Sequence, residues 1–385
     1  MTHLLETLFG SVFWSAVIKV VLAFAFLMLT ALVLVWYERR VVAFMQNRVG
    51  PNRAGPFGIL QTLADGLKLL FKEGIRPRRV EVGMYLAAPI VAMIPAFLIF
   101  LVVPIGAPIH IGTATVTLQG ADLNIALLFI LAMSSVAVYA VVLAGWASGS
   151  KYPLLGGVRA TAQMISYEAA MGIALVPVVI QASARLGGDV GIGTLSMTTL
   201  VHAQEGVIGH VSLPGVFHVL NPVFDVVTTW FPAWFFFPLI ISFGVFFTAA
   251  IAETNRAPFD LVEAESEIVG GYHTEYSGFR FAMFFLAEYI NMFNVSAIAV
   301  TLFFGGWLGP GADLPYVGWL VPIFWFLLKT YALLFVFVWI RATMPRLRYD
   351  QLMNLGWKRL IPISLGWLVV FTVAKAFATF GTPWS

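Results

Sequence analysis

A short stretch of the chain concentrates carboxylic acids, AETNRAPFDLVEAESEIVGGYHTEYSG at residues 252–278, although only 11% of all residues are charged. Its acids are Glu253, Asp260, Glu263, Glu265, Glu267 and Glu275. If Pro258 begins a helix, Asp260, Glu263 and Glu267 share one face, because successive residues rotate by about 100°. Carboxylates crowded in this way titrate as a coupled set, which suits uptake and release of protons near neutral pH. A solvated acidic face is the alternative interpretation.

Three further ionisable residues, Glu168, Glu288 and Lys329, lie inside long apolar runs. A charged side chain at the centre of a membrane span costs roughly 2.5–3.5 kcal/mol or more unless water or a partner offsets it. Such groups therefore usually mark a pathway, although a buried pair that fixes helix packing is the alternative. Together with the acidic stretch, these residues predict a half-channel for protons that begins at one membrane face.

The elements that would carry these residues are membrane-spanning helices. The chain has 385 residues, of which 60% are hydrophobic, and its mean hydropathy of +0.90 implies more apolar surface than a soluble fold can bury. Runs long enough for a span of about 20 residues occur eight times, at about 14–37, 83–106, 122–147, 160–183, 230–252, 281–306, 318–340 and 361–380. The sequence therefore predicts an all-α integral membrane protein with eight transmembrane helices in a single membrane domain, residues 1–385.

Basic residues are distributed unevenly between the loops. Most loop Lys and Arg residues follow the first, third, fifth and seventh spans, whereas on the other side only Arg185 clearly lies in a loop. The positive-inside rule then predicts that the first group of loops is cytoplasmic and that both termini lie outside. The acid-rich loop, residues 253–280, is thus expected in the cytoplasm. The pI of about 9.1 follows from this topology and needs no nucleic-acid partner.

Two loops have features of their own. Residues 57–72 place Leu63, Leu67 and Leu70 on one helical stripe and Asp65 and Lys68 opposite, which predicts an amphipathic helix in the membrane interface. This helix is interpreted as a membrane-surface anchor or as the floor of an entrance for an amphiphilic ligand. The predicted outer loop, residues 185–229, contains three histidines whose spacing fits no usual metal site.

The chain contains no cysteine, which excludes disulfides, thiolate zinc sites and iron–sulfur clusters held by its own sulfur atoms. Any electron carrier would therefore lie on a partner. No internal repeat is visible, so an inverted-repeat transporter gains no support.

Four blocks of the sequence, in this order, carry a resemblance to a known family. They are YERRVVAFMQNRVGPNRAGPFGILQTLADGLKLLFKE, GWASGSKYPLLGGVRATAQMISYE, AETNRAPFDLVEAESEIVGGYHTEYSG and WIRATMPRLRYDQLMNLGWK. Together they look like the signature blocks of the H family, the quinone-site membrane subunits of proton-pumping NADH:quinone oxidoreductase, respiratory complex I. The resemblance extends from about Tyr37 to Lys358, while the outer loop remains unmatched.

The resemblance implies a role for each block. Residues expected along a quinone tunnel are Arg39, Arg48, Asp65, Phe281, Phe285 and Arg341. Residues expected along an acidic proton path are Glu253, Asp260, Glu263, Glu265, Glu267, Glu275, Tyr167, Glu168 and Glu288, to which the charge pattern adds Lys329. The chain would share a quinone chamber and couple quinone reduction to proton translocation, but would bind no flavin, iron–sulfur cluster or metal itself.

The family further implies partners and a location. We expect other complex I subunits, both of the hydrophilic connecting arm and of the membrane arm, with the chain embedded in a bacterial inner membrane and both termini periplasmic. Two alternatives stay open at this point. One is the membrane coupling component of a related energy-converting hydrogenase, and the other is an autonomous ion transporter.

Overall fold

The computed structural model describes residues 12–111, 114–185, 195–206, 232–260, 269–310 and 318–380. These residues form a helical bundle with one two-stranded antiparallel ribbon, β1 (Ile109–Ile111) and β2 (Ala114–Val116). The helices are α1 (Val12–Met45), α2 (Gln61–Phe71), α3 (Val82–Leu101), α4 (Ala126–Ala147), α5 (Lys151–Arg185), α6 (Met197–His202), α7 (Ile240–Glu253), α8 (Phe279–Phe303), α9 (Leu320–Thr343), α10 (Tyr349–Leu355) and α11 (Ile361–Phe380).

Seven of the helical runs in the described residues are long and apolar enough to cross a membrane. They are α1, α3, α4, α5, α8, α9 and the continuous run that joins α10 to α11. The prediction of an all-α integral membrane protein is confirmed. Most of the predicted outer loop, residues 185–229, lies outside the described residues.

The fifth predicted span differs in length from the helix that forms there. We expected a span at 230–252, whereas α7 has 14 residues and begins at Ile240. A helix of this length reaches about 21 Å, less than the roughly 30 Å of a hydrocarbon core. Residues 235–239 form turns before it, and Pro238 among them has no backbone N–H to donate.

Other boundaries also differ from the predicted ones: α1, for example, ends at Met45 instead of residue 37. Helix α5 begins at Lys151, nine residues before the fourth predicted span at 160–183. The amphipathic helix begins at Gln61 instead of residue 57, because Phe57 and Gly58 have positive φ angles of 56° and 75° that interrupt a helix. Residues 257–258 form a turn, and no helix begins at Pro258 within the described residues.

Helices α5 and α8 form the centre of the bundle. The apolar 18-residue stretches of these two helices are 56% and 67% buried, a larger share than in the other long helices of the described residues. Helix α5 packs against α4, α7 and α11, and α8 packs against α3, α9 and α1. Glycines allow the closest approaches: a Cβ on Gly157 would lie 3.2 Å from the Cα of Gly145, where α5 crosses α4.

The ends of the helices define two sides of the bundle. At one end, the backbone N–H of Glu81 before α3 donates to the carbonyl of Ala147 at the end of α4, 3.1 Å away. Arg79 in the loop before α3, Lys151 at the start of α5 and Arg280 at the start of α8 lie at this end, and we call it the basic end. The β-ribbon and α6 lie toward the opposite end.

Candidate functional site

A buried arginine at the basic end connects three helices. Arg256, only 5% exposed, follows α7, and its Nη1 lies 3.9 Å from Glu38 Oε1 of α1. Its Nη2 lies 3.6 Å from Glu288 Oε2 of α8, and its guanidinium lies 4.3 Å from the ring centre of Tyr289. Because a buried charge needs opposite charges nearby, the two carboxylates and the aromatic face stabilise Arg256 in place.

Glu38 is shared between two arginines. Its Oε1 accepts a hydrogen bond from Nη1 of Arg341 on α9 as well as facing Arg256. Glu38 was not among the residues predicted from the sequence. Its signal was nevertheless present, since Glu38 is the single acid in the 34-residue helix α1. An isolated acid in a long apolar helix marks a polar contact.

A cleft of about 760 Å³ opens beside this group at the basic end. Arg39, Arg48, Phe285 and Arg341, four of the residues predicted for a tunnel, line it together. The remaining lining residues are Glu38, Val42, Gln46, Val49, Gly50, Pro51, Tyr289 and Ala342. The cleft thus combines aliphatic and aromatic walls with three guanidinium groups.

The other two predicted tunnel residues lie next to this lining without belonging to it. Asp65 on α2 accepts a hydrogen bond of 2.6 Å from Arg39, and a second of 3.1 Å from Gln61. Burial opposes ionisation of Asp65, but these hydrogen bonds outweigh it and hold the pKa of the carboxyl below its usual value. Phe281 packs against Phe285 with ring centres 5.0 Å apart.

Two predicted path carboxyls lie close together deeper in the bundle. Ser134 of α4 donates a hydrogen bond to Glu253 at the end of α7, and Ser135 donates one of 2.5 Å to Glu168 of α5. A small cavity of about 40 Å³ lies against Glu253 and Ser134. The structure thus brings Glu168 and Glu253 together through two serines that the sequence pattern did not indicate.

The remaining path residues are spread more widely. Asp260 pairs with Arg346 at 3.2 Å, and the hydroxyl of Tyr167 donates to the carbonyl of Leu352 at 2.9 Å. The backbone carbonyl of Glu275 accepts a 2.8 Å bond from Tyr85. Glu263, Glu265 and Glu267 lie outside the described residues, so the shared face of Asp260, Glu263 and Glu267 stays a prediction.

Lys329 lies apart from the carboxylates. Its Nζ donates to three backbone carbonyls that follow the end of α8, those of Phe304, Gly306 and Leu308, at 2.8, 3.1 and 2.6 Å. It also lies 4.6 Å from the ring centre of Trp234. An ammonium group has three protons to donate, and the carbonyl end of a helix favours a cation. This geometry is that of a helix cap.

The loop before α8 contributes an aromatic cluster. His273 meets the rings of Tyr272 and Phe281 edge to face, and burial lowers its pKa to about 4, so its imidazole is neutral at neutral pH. Tyr276 stacks on Tyr85 at 4.3 Å, and burial raises the pKa of Tyr276 above its usual value. The cluster is therefore uncharged and positions the loop by packing.

Apolar spanning helices that hold buried, paired charges beside a polar cleft define a polytopic membrane protein able to handle charge within the bilayer. The family model described as NADH dehydrogenase matches residues 18–372, nearly the whole chain. The chain belongs to this family of NADH–quinone oxidoreductase membrane subunits, and it is thus a multi-pass component of a multi-subunit NADH dehydrogenase complex. The resemblance of the four sequence blocks is in agreement with this assignment.

Proposed function

We propose that this chain is the quinone-site membrane component of its complex, that it forms a wall of the quinone-access chamber, and that it couples quinone reduction to proton translocation. The observation that carries the proposal is a continuous series of charges. Glu38 and Arg341 line the cleft, Glu38 also faces Arg256, and Arg256 faces Glu288 inside the bundle. A change of charge in the cleft therefore has a short route to a buried carboxylate.

The volume of the cleft and its mixture of apolar and charged lining residues support the proposal of a quinone ligand. Pockets for small ligands have volumes of about 300–1,000 Å³ and are mostly apolar with a few placed polar groups. Here Val42, Val49 and Phe285 offer surface to an isoprenoid tail, while Arg39 and Arg341 offer hydrogen bonds to head-group oxygens. The bound quinone would supply two-electron redox chemistry, with electrons from flavin and iron–sulfur clusters on partner chains.

The chain's own residues would respond to that chemistry by exchanging partners. Negative charge in the cleft attracts Arg341, which now binds Glu38. If Arg341 turns toward the cleft, Glu38 is left with Arg256, and the pairing of Arg256 with Glu288 weakens in turn. Such a shift requires only that the pairs interact more strongly with one charge state of the cleft than with the other.

The proton path is proposed to leave the chain in the plane of the membrane, through Glu168. Glu168 is partly exposed on the lateral surface between α4 and α5, where a bilayer or a neighbouring chain would lie. Because an acid facing lipid is costly, a neighbouring membrane protein of the complex is the expected cover. We further propose that the basic end faces the cytoplasm of a bacterial cell and that both termini are periplasmic, as the positive-inside rule requires.

The decisive experiment replaces Glu38 in the intact complex. We expect Glu38→Gln to lower the number of protons pumped per NADH oxidised in proteoliposomes, because the route from the cleft to Glu288 then lacks its first carboxylate. The matched control is Glu205→Gln, which removes a carboxylate about half exposed beside His202 at the opposite end. An assembled Glu38→Gln complex with an unchanged pumping ratio and unchanged quinone kinetics would contradict the proposal.

A further inference from the structure

Two adjacent serines of α4 contact two different carboxyls. Ser134 bonds to Glu253 of α7, whereas Ser135 bonds to Glu168 of α5. Neighbouring residues of a helix point about 100° apart, so α4 presents one hydroxyl to each of the two helices. Ser134 also interacts with the carboxyl of Glu168, and Glu168 and Glu253 interact electrostatically. Hydroxyl groups thus bridge the two carboxyls.

The partner of Ser134 is unusual for a buried serine in a spanning helix. Ser166 and Ser296 each donate to a carbonyl four residues earlier in their own helix, at 2.6 and 2.9 Å. That bond satisfies a hydroxyl in an apolar setting. Ser134 is 4% exposed and donates instead to a carboxyl of another helix. Packing alone does not explain this choice of partner.

Ser135 has two acceptors for a single hydrogen. Its Oγ lies 3.1 Å from the carbonyl oxygen of Leu131 and 2.5 Å from Glu168 Oε1. When Glu168 is ionised, Ser135 donates to it. When Glu168 is protonated, its own O–H can donate to Ser135 Oγ while Ser135 turns to Leu131. The hydroxyl therefore accommodates both protonation states of Glu168 without a change of position.

The small cavity beside Glu253 supplies an independent observation. Among the described residues, Glu253 Oε2, Asn291 Oδ1 and Asn294 Oδ1 have no hydrogen-bond partner, and all three residues line this cavity of about 40 Å³. The amide of Asn294 is fixed in orientation, since its Nδ2 donates to the carbonyl of Ala96 at 2.7 Å. Three acceptors facing one cavity require a donor, either water or a proton on Glu253. The volume holds about two water molecules.

We infer that the hydroxyls of Ser134 and Ser135 carry protons between the carboxyls of Glu168 and Glu253, an inference that rests on the proposed function. In each step a protonated carboxyl gives its proton to Ser134 Oγ while the original hydroxyl proton passes to the other carboxylate. One O–H bond forms and one breaks at the serine oxygen, so the hydroxyl is regenerated and no redox partner is involved. Ser135 holds Glu168 in position during the exchange.

The experiment compares serine variants of the assembled complex in proteoliposomes. We expect Ser134→Ala to lower the rate of NADH-driven proton pumping roughly tenfold, since a positioned proton-transfer group contributes at least that much to the rate. Ser134→Thr, which keeps a hydroxyl, is expected to restore pumping. Ser296→Ala, which removes an equally buried hydroxyl bonded only within its helix, is expected to pump normally. Ser135→Ala removes an exposed hydroxyl at little risk to folding, and we expect a partial loss.

Infrared difference spectra give a readout that a packing role would not change. Loss of the serine hydrogen bond should move the C=O stretch of protonated Glu253 to higher frequency in Ser134→Ala but not in Ser296→Ala. Normal pumping by both Ser134→Ala and Ser135→Ala, with Glu253→Gln impaired, would overturn the serine relay and leave the proposed function standing. Normal pumping by Glu168→Gln and Glu253→Gln as well would overturn both.

Discussion

The carboxylate of Glu38 and the guanidinium of Arg341 form a hydrogen-bonded ion pair although 303 positions separate them in the chain. The pair joins α1 to α9 beside the cleft. Since Glu38 also faces the buried Arg256, the pair is the point at which the cleft meets the interior of the bundle. The stability of this end of the bundle should therefore depend on all three groups.

Removal of Arg256 should destabilise the folded chain strongly. Arg256→Met leaves Glu38 and Glu288 buried without their shared cation, and breaking a buried pair in this way costs about 3–5 kcal/mol. We expect a lower thermal midpoint of the purified complex. The double variant Arg256→Met with Glu38→Gln should recover part of the loss, because it removes one of the two buried carboxylates that face Arg256. Additive losses in the double variant would show that the two residues are not coupled.

The ion pair of Asp65 with Arg39 should affect quinone binding more than the stability of the folded chain. Both side chains are substantially exposed, 35% and 47%, and exposed pairs contribute only about 0–1 kcal/mol. Asp65→Asn should therefore leave the thermal midpoint nearly unchanged. It frees Arg39 at the cleft, so we expect a changed KM for quinone with little change in kcat. Lys68→Gln, on the same helix, serves as the control for a change of surface charge.

Acidification should destabilise the loop around His273. An unfolded histidine titrates near pH 6.5, whereas burial holds the pKa of His273 at about 4 in the folded chain. Below pH 6.5 the histidine binds a proton in the unfolded state but stays neutral in the folded state. The free energy of unfolding therefore falls by up to ~1.4 kcal/mol per pH unit until about pH 4. In His273→Phe, the thermal midpoint should depend less on pH between pH 6.5 and about pH 4. The same pH dependence in the variant would assign it to other groups.

Lys329 should act as a structural cap. Lys329→Met leaves three carbonyl oxygens at the end of α8 without their donor, at a cost of about 1–3 kcal/mol for each buried group left unsatisfied. We expect a lower thermal midpoint with an unchanged number of protons pumped per NADH in the complex that assembles. A loss of pumping at normal stability would instead support the place in the proton path that the sequence pattern suggested.

The close approach of the loop before α8 to α5 should depend on a glycine. A Cβ on Gly156 would lie 2.7 Å from the Cα of Gly271, a backbone atom that cannot easily move. We expect Gly156→Ala to cost about 1–3 kcal/mol through overpacking. Gly172→Ala on the same helix, where a Cβ would meet nothing within 4 Å, is the control and should be neutral or slightly stabilising. Equal thermal midpoints for the two variants would refute this contact.

The sequence located the ionisable residues better than it assigned their partners. Glu168 and Glu288 stand out within apolar runs, because a charge in such a run is costly whatever its surroundings. Glu38 carries a weaker signal, since it precedes two arginines and resembles the end of a span. The link through Ser134 left no signal at all, because serine is common in spanning helices and its partner lies 119 positions away.

The sequence alone determined the membrane class, the approximate spans and the amphipathic surface helix. These properties follow from local composition and periodicity, because the cost of exposing polar groups to lipid selects long apolar helices as spans and amphipathic helices at the surface. Three further features emerge from the packing of the helices: α7 is short, Arg256 lies between Glu38 and Glu288, and Lys329 caps α8. Those outcomes depend on which helices pack together, and that packing brings together side chains far apart in the sequence.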